Sequence, residues 1–477
     1  SREAVVEAAD PRVQAICEIY ADVLGLAKVG PDEDFFALGG DSIQSITVAR
    51  RARERDLIFT PRDVFQHRTA AALAAIARSE APETARCDDG TGEVPATPII
   101  RWLARVAGDA PIDGFFQSVT LRIPRELEWT DAETLVQALL DRHDLLRARL
   151  VRGDEWTLQV PGPGTVRAGD VLERGDDAEW DPVVVARRLR PEEGVMLRAV
   201  WRPGRLMLVA HHLAVDAVSW RILCDDLAAG WRQLRAGRPV DLPPVPTSFR
   251  RWAEVLADLP GERHAAELPV AGPLGRLDPA RDVAATVRTT SLVLPAELTE
   301  PLLGDVPAAY HGTADDVLLT ALAIALQRWR WADEPVLIDL EGHGRAEDLA
   351  RLAGTTVDLT RTVGWFTSLH TVRIEPGADD LPSAVKRVKE AVRAATRDRA
   401  GGTGGAQVLF NFMGRFSLDG ETGGDFSPVS DGAPLGHGND PRTPLGHALE
   451  INAAVRDGRL EALLSWPGGL LTDDDIA

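Results

Sequence analysis

Four short stretches carry residue types that can move protons or hold a reactive group. In HHLAVDAVSW, residues 211–220, two histidines stand together and an acid, Asp216, follows four residues after the second. A positioned imidazole titrates near neutrality, so it can take or give a proton at pH 7. The run that leads into them, RLMLVAHHL (205–213), reads as a strand, and adjacent strand residues point to opposite faces. His211 and His212 therefore do not line one pocket in the same way, and one of them is structural. Asp216 is close enough to shape the turn or to pair with an arginine; a metal would need a third ligand that the neighbourhood does not offer. In LEGHGRAED (340–348) a strand ends in Glu341, Gly342 and Gly344 let the backbone turn sharply, and Arg345 follows. Such a glutamate either acquires a raised pKa and works as acid or base, or forms a loop ion pair with Arg345. In VLFNFMGRF (408–416) Asn411 interrupts a strand-like run, so it ties the backbone or faces a polar ligand.

The fourth stretch is LGGDSIQSITVARRARER, residues 38–55. Ile43, Ile46, Ala49 and Ala52 recur every three positions, which predicts a helix opening at or near Ser42, behind Gly39, Gly40 and Asp41. The serine hydroxyl is then a cap, or a handle for a phosphate-linked group whose charge a helix N-terminus favours.

The elements that must position these residues fall into two styles. Residues 11–27 have helical periodicity, Ser42 opens a second helix and 69–78 reads as a third, which together predict a small all-α bundle over residues 1–79. Residues 80–94, acidic and small, lack an apolar period and read as a linker. Beyond them strands alternate with helices: a strand at 115–123, an amphipathic helix in 130–150 running toward another strand, a strand at 205–213, a helix starting near Ser219, a helix at 314–330 and a strand at 335–343. Two halves, 95–275 and 276–477, each read as an α+β layer, with the Pro-rich segment 241–252 near their junction.

The chain has 477 residues, 44 % apolar and 26 % charged, enough to bury a large core. Its 73 acids against 53 bases argue against nucleic acid and against an anionic membrane as partners. Three cysteines, Cys17, Cys87 and Cys224, with no CxxC pair, fit a reducing cytoplasm. The start, SREAVVEAAD, lacks the regions of a signal peptide, and VLLTALAIAL (317–326) is too short for a bilayer and reads as a buried helix.

Taken together, FFALGGDSIQSI, RHDLLRARL, HHLAVDAVSW, LEGHGRAED, RTVGWFTSLHTVRI (361–374) and VLFNFMGRF resemble, in order, the motifs of a peptidyl carrier protein joined to an epimerisation domain of nonribosomal peptide synthetases. The resemblance implies a carrier bundle followed by a two-lobed, chloramphenicol-acetyltransferase-like α+β domain with a tunnel between its lobes. It implies a 4′-phosphopantetheine arm on Ser42 beside Asp41, no metal, and conversion of an L residue held as a thioester to the D form. His212 and Glu341 would be the acid/base pair, with His211, Asp216, Arg345 and Asn411 in support. An upstream adenylation domain, a downstream condensation domain and a phosphopantetheinyl transferase are the implied partners. The chain departs from the family at Phe412, where a tyrosine is usual, and at Ala217, where glycine is usual. A Gly- and Tyr-rich segment expected before Val408 is replaced by 399–407, and the text reads short around 198–205 and 267–276. Two rivals share the HHxxxD motif or the fold: an amide-forming condensation domain, and a catalytically silent module that recruits a tailoring enzyme.

Overall fold

The computed structural model describes residues 10–40, 42–78, 89–175, 180–259, 272–310, 312–331, 334–375, 377, 380–397, 406–414, 425–429 and 436–476. The chain divides into two compact units, Ser1–Ala85 and Arg86–Ala477.

The first unit is helical: α1 (Pro11–Leu24), α2 (Ser42–Arg53), α3 (Pro61–His67) and α4 (Ala70–Ile76). Asp10 accepts a hydrogen bond from the Arg12 N–H and Pro11 occupies the first turn, so α1 starts where two independent signals agree. The periodicity predicts α1, α2 and α4 but passes over α3. That helix is announced instead by its capping box, Thr60 with Asp63, around Pro61. Ile16, Ile19, Tyr20, Phe35, Val48 and Leu73 are wholly buried between the helices, each contributing about 1.5–3 kcal/mol by leaving water. Just before α2 the Gly40 N–H bonds the Phe35 carbonyl at 2.9 Å, and a Cβ there would enter the Phe35 ring. Only glycine lets the chain lie that close to the core as it turns into α2. Asp41 and the side chain of Ser42 lie outside the described residues.

The second unit holds two main sheets. The first contains β1 (Phe116–Arg122), β2 (Leu172–Arg174), β3 (Leu197–Arg202) and β4 (Arg205–His211), and its far edge is a short strand from much later in the chain, Gly436–Gly438. The order is Gly436–Gly438, β1, β4, β3, β2. The text that reads short at 198–205 is a tight hairpin: β3 and β4 pair antiparallel up to Arg202 and Arg205, with Gly204 at φ 81° in the turn. The second sheet contains β5 (Val287–Leu294), β6 (Val336–Gly342), β7 (Ser368–Ile374), β8 (Val408–Phe412), β9 (Leu449–Arg456) and β10 (Arg459–Pro467), in the order β7-β6-β8-β9-β10-β5. Helices α5 (Trp129–Arg142) and α6 (Ala217–Arg235) pack on each other, α7 (Phe249–Ala257) follows, and α8 (Ala314–Leu326) packs on α9 (Leu381–Arg397), which lies against β7.

The period of two along the second sheet decides what it offers. Val336, Ile338, Val408, Phe410 and Ile451 enter one core with α8 and α9. Asp339, Glu341, Asn411 and Glu450 therefore share the other face.

Several boundaries differ from expectation. The helix expected within 130–150 ends at Arg142 and gives way to a 3₁₀ turn, Asp144–Arg147, before the strand Arg149–Val151. The helix expected near Ser219 starts at Ala217, because Asp216 caps it by accepting the Ser219 N–H. The helix expected over 314–330 is α-helical only to Leu326 and finishes in a π-helical turn, Gln327–Trp331. The stretch 317–326 is buried along one side only, with Ala321 and Ala325 exposed. Residues 92–94, expected in the linker, belong to the strand Gly92–Pro95, which pairs with Thr157–Val160. The strand Gly436–Gly438 joins the first sheet although it falls in the half expected to build the other lobe. Among the described residues Cys17 and Cys224 are free thiols, and no helix is long and apolar enough to cross a membrane. Cys87, 267–271 and 399–405 lie outside the described residues.

Candidate active site

Strand β4 ends at His211, and the chain turns through His212–Ala214 into α6. The two histidines separate as the strand geometry demands. His211 is wholly buried, donates through Nε2 to the Ile112 carbonyl at 2.8 Å and accepts the Leu213 N–H at Nδ1. Burial, foremost, pushes its pKa down to about 3, so it is a neutral structural group. His212 lies between two aromatic rings, stacked on Phe115 with centroids 4.7 Å apart and 5.1 Å from Trp365. Its Nε2 is 2.8 Å from the Gln117 side-chain nitrogen. Burial again dominates and pushes its pKa down to about 4, against the backbone carbonyls of His212 and Val215 and the charge of Asp216. His212 is thus neutral at pH 7.

The segment 361–367 touches His212, Asp216, Ser219, Asp226 and Glu341. Arg361 donates to Asp226 at 2.6 Å, and Asp226 also receives His143 of the RHD stretch at 2.8 Å. Gly364 exchanges hydrogen bonds with the Ser219 hydroxyl, both at 3.0 Å. Trp365 covers His212, the Phe366 N–H donates to Asp216, and the Thr367 hydroxyl reaches Glu341 at 3.4 Å. Arg345 pairs not with Glu341 but with Asp216, at 2.9 and 3.1 Å through Nη2. Its other terminal nitrogen donates to the Leu359 and Thr362 carbonyls, and its guanidinium lies over the Phe366 ring. The loop ion pair expected as one reading of LEGHGRAED is therefore not formed, and Asp216 has both of its expected roles, turn cap and arginine partner.

Gly344 makes this loop possible. Its φ is +63°, and a Cβ would run into the Phe366 carbonyl. Gly344→Ala is expected to cost about 1–3 kcal/mol of stability, seen as a lower midpoint in urea, and to reduce turnover because Arg345 and Thr367 both shift.

Glu341 is pushed up to about 7, first by burial and then by the nearby Glu450 carboxylate, with Thr367 and His447 pulling the other way. His447, which sequence reasoning passed over, donates to Asp339 at 3.0 Å and stands 3.6 Å from Glu450. Burial opposes its cation, but Asp339 and Glu450 outweigh burial and lift it to about 9. Asn411 follows Phe410, the partner of Leu340, so it comes beside Glu341 on the same face, where its amide donates to Asn452 at 3.2 Å. His212 is thus a neutral imidazole at pH 7, and Glu341 a carboxyl that keeps its proton up to about pH 7. Among the described residues no group of three or more potential ligands could hold a metal.

The raised pKa of Glu341 has a stability counterpart. The folded state holds this proton up to about pH 7, whereas an unfolded glutamate releases it near 4.5, so stability falls as pH rises across that interval. A glutamine mimics the protonated form. Glu341→Gln is expected to leave stability unchanged at pH 4 and to raise it by about 1–3 kcal/mol at pH 8, as read from urea unfolding at the two pH values.

Gln117, Trp220, Asp226, Thr367 and His447 are the members that sequence reasoning did not single out. Trp220 and Thr367 lie inside quoted motifs, and Gln117 had a signal of its own, a polar residue after two phenylalanines in an alternating strand. Its opposite number across the sheet is His437, on the strand contributed by Gly436–Gly438.

Residues 14–77 match the family model described as a phosphopantetheine attachment site, and residues 202–404 match the condensation domain. 4′-Phosphopantetheine, held covalently, is therefore the prosthetic group of the first unit. Chondramide synthase cmdD of Chondromyces crocatus is 34 % identical over 94 % of the chain and 12 % of its own length. Surfactin synthase subunit 1 of Bacillus subtilis is 32 % identical over 95 % of the chain and 14 % of its own length. The chain thus spans only 12 to 14 % of the length of these relatives. The epimerization domain from the third module of tyrocidine synthetase B superimposes with a TM-score of 0.63 at 26 % identity, covering 82 % of this chain and 95 % of that one. The X-domain from teicoplanin biosynthesis, at 21 % identity and TM-score 0.58 over 83 % and 93 % of the two chains, shares the fold. The chain is therefore a phosphopantetheine-bearing carrier domain joined to a member of the condensation-domain superfamily.

Proposed function

We propose that the second unit is an epimerase that inverts the α-carbon of an aminoacyl or peptidyl thioester carried on Ser42 of the first, within a nonribosomal peptide synthetase. The observation that carries this reading is the segment 361–367, which seats Trp365 against His212 and, two residues on, hydrogen-bonds Glu341 through Thr367. One imidazole and one carboxyl are so held on elements of different sheets, the imidazole after β4 and the carboxyl on β6.

The chemistry follows from the proton states. His212 gives up the hydrogen bond that Gln117 donates to Nε2 and takes the Cα proton there, the Cα–H electron pair moves into the thioester carbonyl to form an enolate, and Glu341 returns its own proton to the opposite face. The reverse reaction exchanges the two roles. Neutral imidazole with carboxylic acid and imidazolium with carboxylate hold the same number of protons, so both directions share one pH dependence. The rate is expected to form a bell with limbs near 4 and 7, the values of His212 and Glu341.

Asp216 and Arg345 hold the 361–367 segment, His211 anchors the end of β4, and Asn411 lines the face beside Glu341. Residues 1–79 would be the carrier, 80–91 the linker, and 92–275 and 276–477 the two lobes, with the strand Gly436–Gly438 lent to the first. Ser42, behind Asp41, would bear the arm, since it heads a 12-residue helix whose N-terminus favours a phosphodiester. That arm supplies a thioester, which acidifies Cα, and a tether that replaces diffusion. A transferase to load the arm, an upstream adenylation domain and a downstream condensation domain are the partners this reading requires.

The test loads Ser42 with a panel of L-aminoacyl and L-peptidyl phosphopantetheine groups in heavy water and measures Cα deuterium and chirality after release. Uptake with conversion to an L/D mixture supports the epimerase. Amide formation with an offered aminoacyl acceptor and an untouched Cα would instead support condensation, the reaction named by the matching family model. Neither reaction from any loaded thioester would favour a silent docking module.

A further inference from the structure

We propose that Gln117 is a positioning residue that fixes the tautomer of His212 and holds its Nε2 lone pair in the resting protein, so that the Gln117 NH₂ gives way when Nε2 takes a proton; as a statement about catalysis, this rests on the epimerase reading. The geometry begins at the wholly buried Trp220, whose indole N–H lies 3.0 Å from the Gln117 side-chain oxygen. An indole nitrogen only donates, so the amide oxygen must face it and the NH₂ must face the other way. That NH₂ meets His212 Nε2 at 2.8 Å. Two donors do not share such a contact, so Nε2 carries a lone pair and the single proton of the neutral ring sits on Nδ1.

His211, one residue earlier, is held in the opposite form, with Nε2 donating to Ile112 and Nδ1 accepting from Leu213. The pair is therefore differentiated by its partners rather than by sequence. His212 Nδ1 is buried and makes no hydrogen bond to the described residues. The ring is also clamped, stacked at 16° on Phe115 with Trp365 beside it, so it does not turn Nε2 away from the amide. The groups facing His212 are Asp216 and the backbone carbonyls of His212 and Val215, which favour the cation, and His437, which opposes it. None of these accepts a hydrogen bond from Nε2. Among the described side chains it is Gln117 that leaves Nε2 without a proton, and Trp220 decides which way Gln117 points.

The experiment uses the full chain with ¹⁵N-labelled histidine, reading imidazole nitrogen shifts near pH 7, with His212→Asn to assign the signal. The wild type is expected to show His212 with a protonated Nδ1 and an unprotonated Nε2. Gln117→Glu places an acceptor opposite Nε2 and is expected to move the proton there, to raise the titration point of His212, and to lower epimerisation at saturating substrate by about 10²–10⁴-fold, the scale of a wrong histidine tautomer in a catalytic triad. Trp220→Phe frees the amide to flip and is expected to mix the two tautomers with a smaller loss of rate, which keeps the proposal testable should the glutamate variant not fold. A wild-type His212 protonated on Nε2 overturns the proposal, as does a Gln117→Glu variant with unchanged nitrogen shifts and pH profile. The expected tautomer in a wild-type chain that shows no deuterium uptake would overturn the epimerase reading and leave the role of Gln117 standing.

Discussion

Epimerisation is expected to fall by about 10²–10⁴-fold in both Glu341→Gln and His212→Ala. The two losses differ in kind. Inversion needs one group on each face of the α-carbon, and each variant keeps the group that serves one face. Each should therefore still exchange hydrogen for deuterium on one antipode, with retention, while failing to invert it. If Glu341→Gln washes deuterium into the L thioester only, His212→Ala should do so with the D thioester only, or the reverse. A variant that exchanges both antipodes at the wild-type rate would remove its residue from the pair. The double variant should lose little more inversion than either single one, because the two groups act as one device.

The second large effect is on stability. Arg345→Met is expected to destabilise the second unit by about 3–5 kcal/mol, since it strands the carboxylate of Asp216 in a buried site. Asp216 is 7 % exposed and Arg345 2 %, so water does not replace the lost partner. The substitution also removes donors to Leu359 and Thr362 and the contact with Phe366. Arg345→Lys keeps the charge but not the planar fork, and should recover only part of the loss. Denaturant midpoints of the three proteins check this; a Met variant within about 1 kcal/mol of wild type would mean the pair behaves like an exposed one.

Much of the frame is legible in the sequence because it depends on near neighbours. The alternation in 205–213 places a strand that ends at the histidines, and that strand runs to His211. The apolar period after Ser42 places α2, and the glycines of LEGHGRAED mark a loop that Gly344 does require. What was not legible joins residues far apart. Gln117 meets His212 across 95 residues and Arg345 meets Asp216 across 129. No local pattern says which acid a buried arginine will find, so on spacing alone the nearby Glu341 was as reasonable a partner for Arg345 as the distant Asp216. The motif resemblance supplied His212 and Glu341; it said nothing of Gln117, which strand pairing brings to His212, or of His447, which the loop before Leu449 brings to Asp339.

The strand Gly436–Gly438, which completes the first sheet from the far end of the chain, has a practical consequence for anyone recombining such proteins. Cut between 275 and 276, the first fragment would end in the open edge of β1, and a bare strand edge invites pairing with whatever strand is near. The two halves are thus not exchangeable cassettes. A working splice has to carry residues 92–467, from the first paired strand to the last, as one inheritable piece, and libraries that cross over inside it will sample misassembly rather than new specificity.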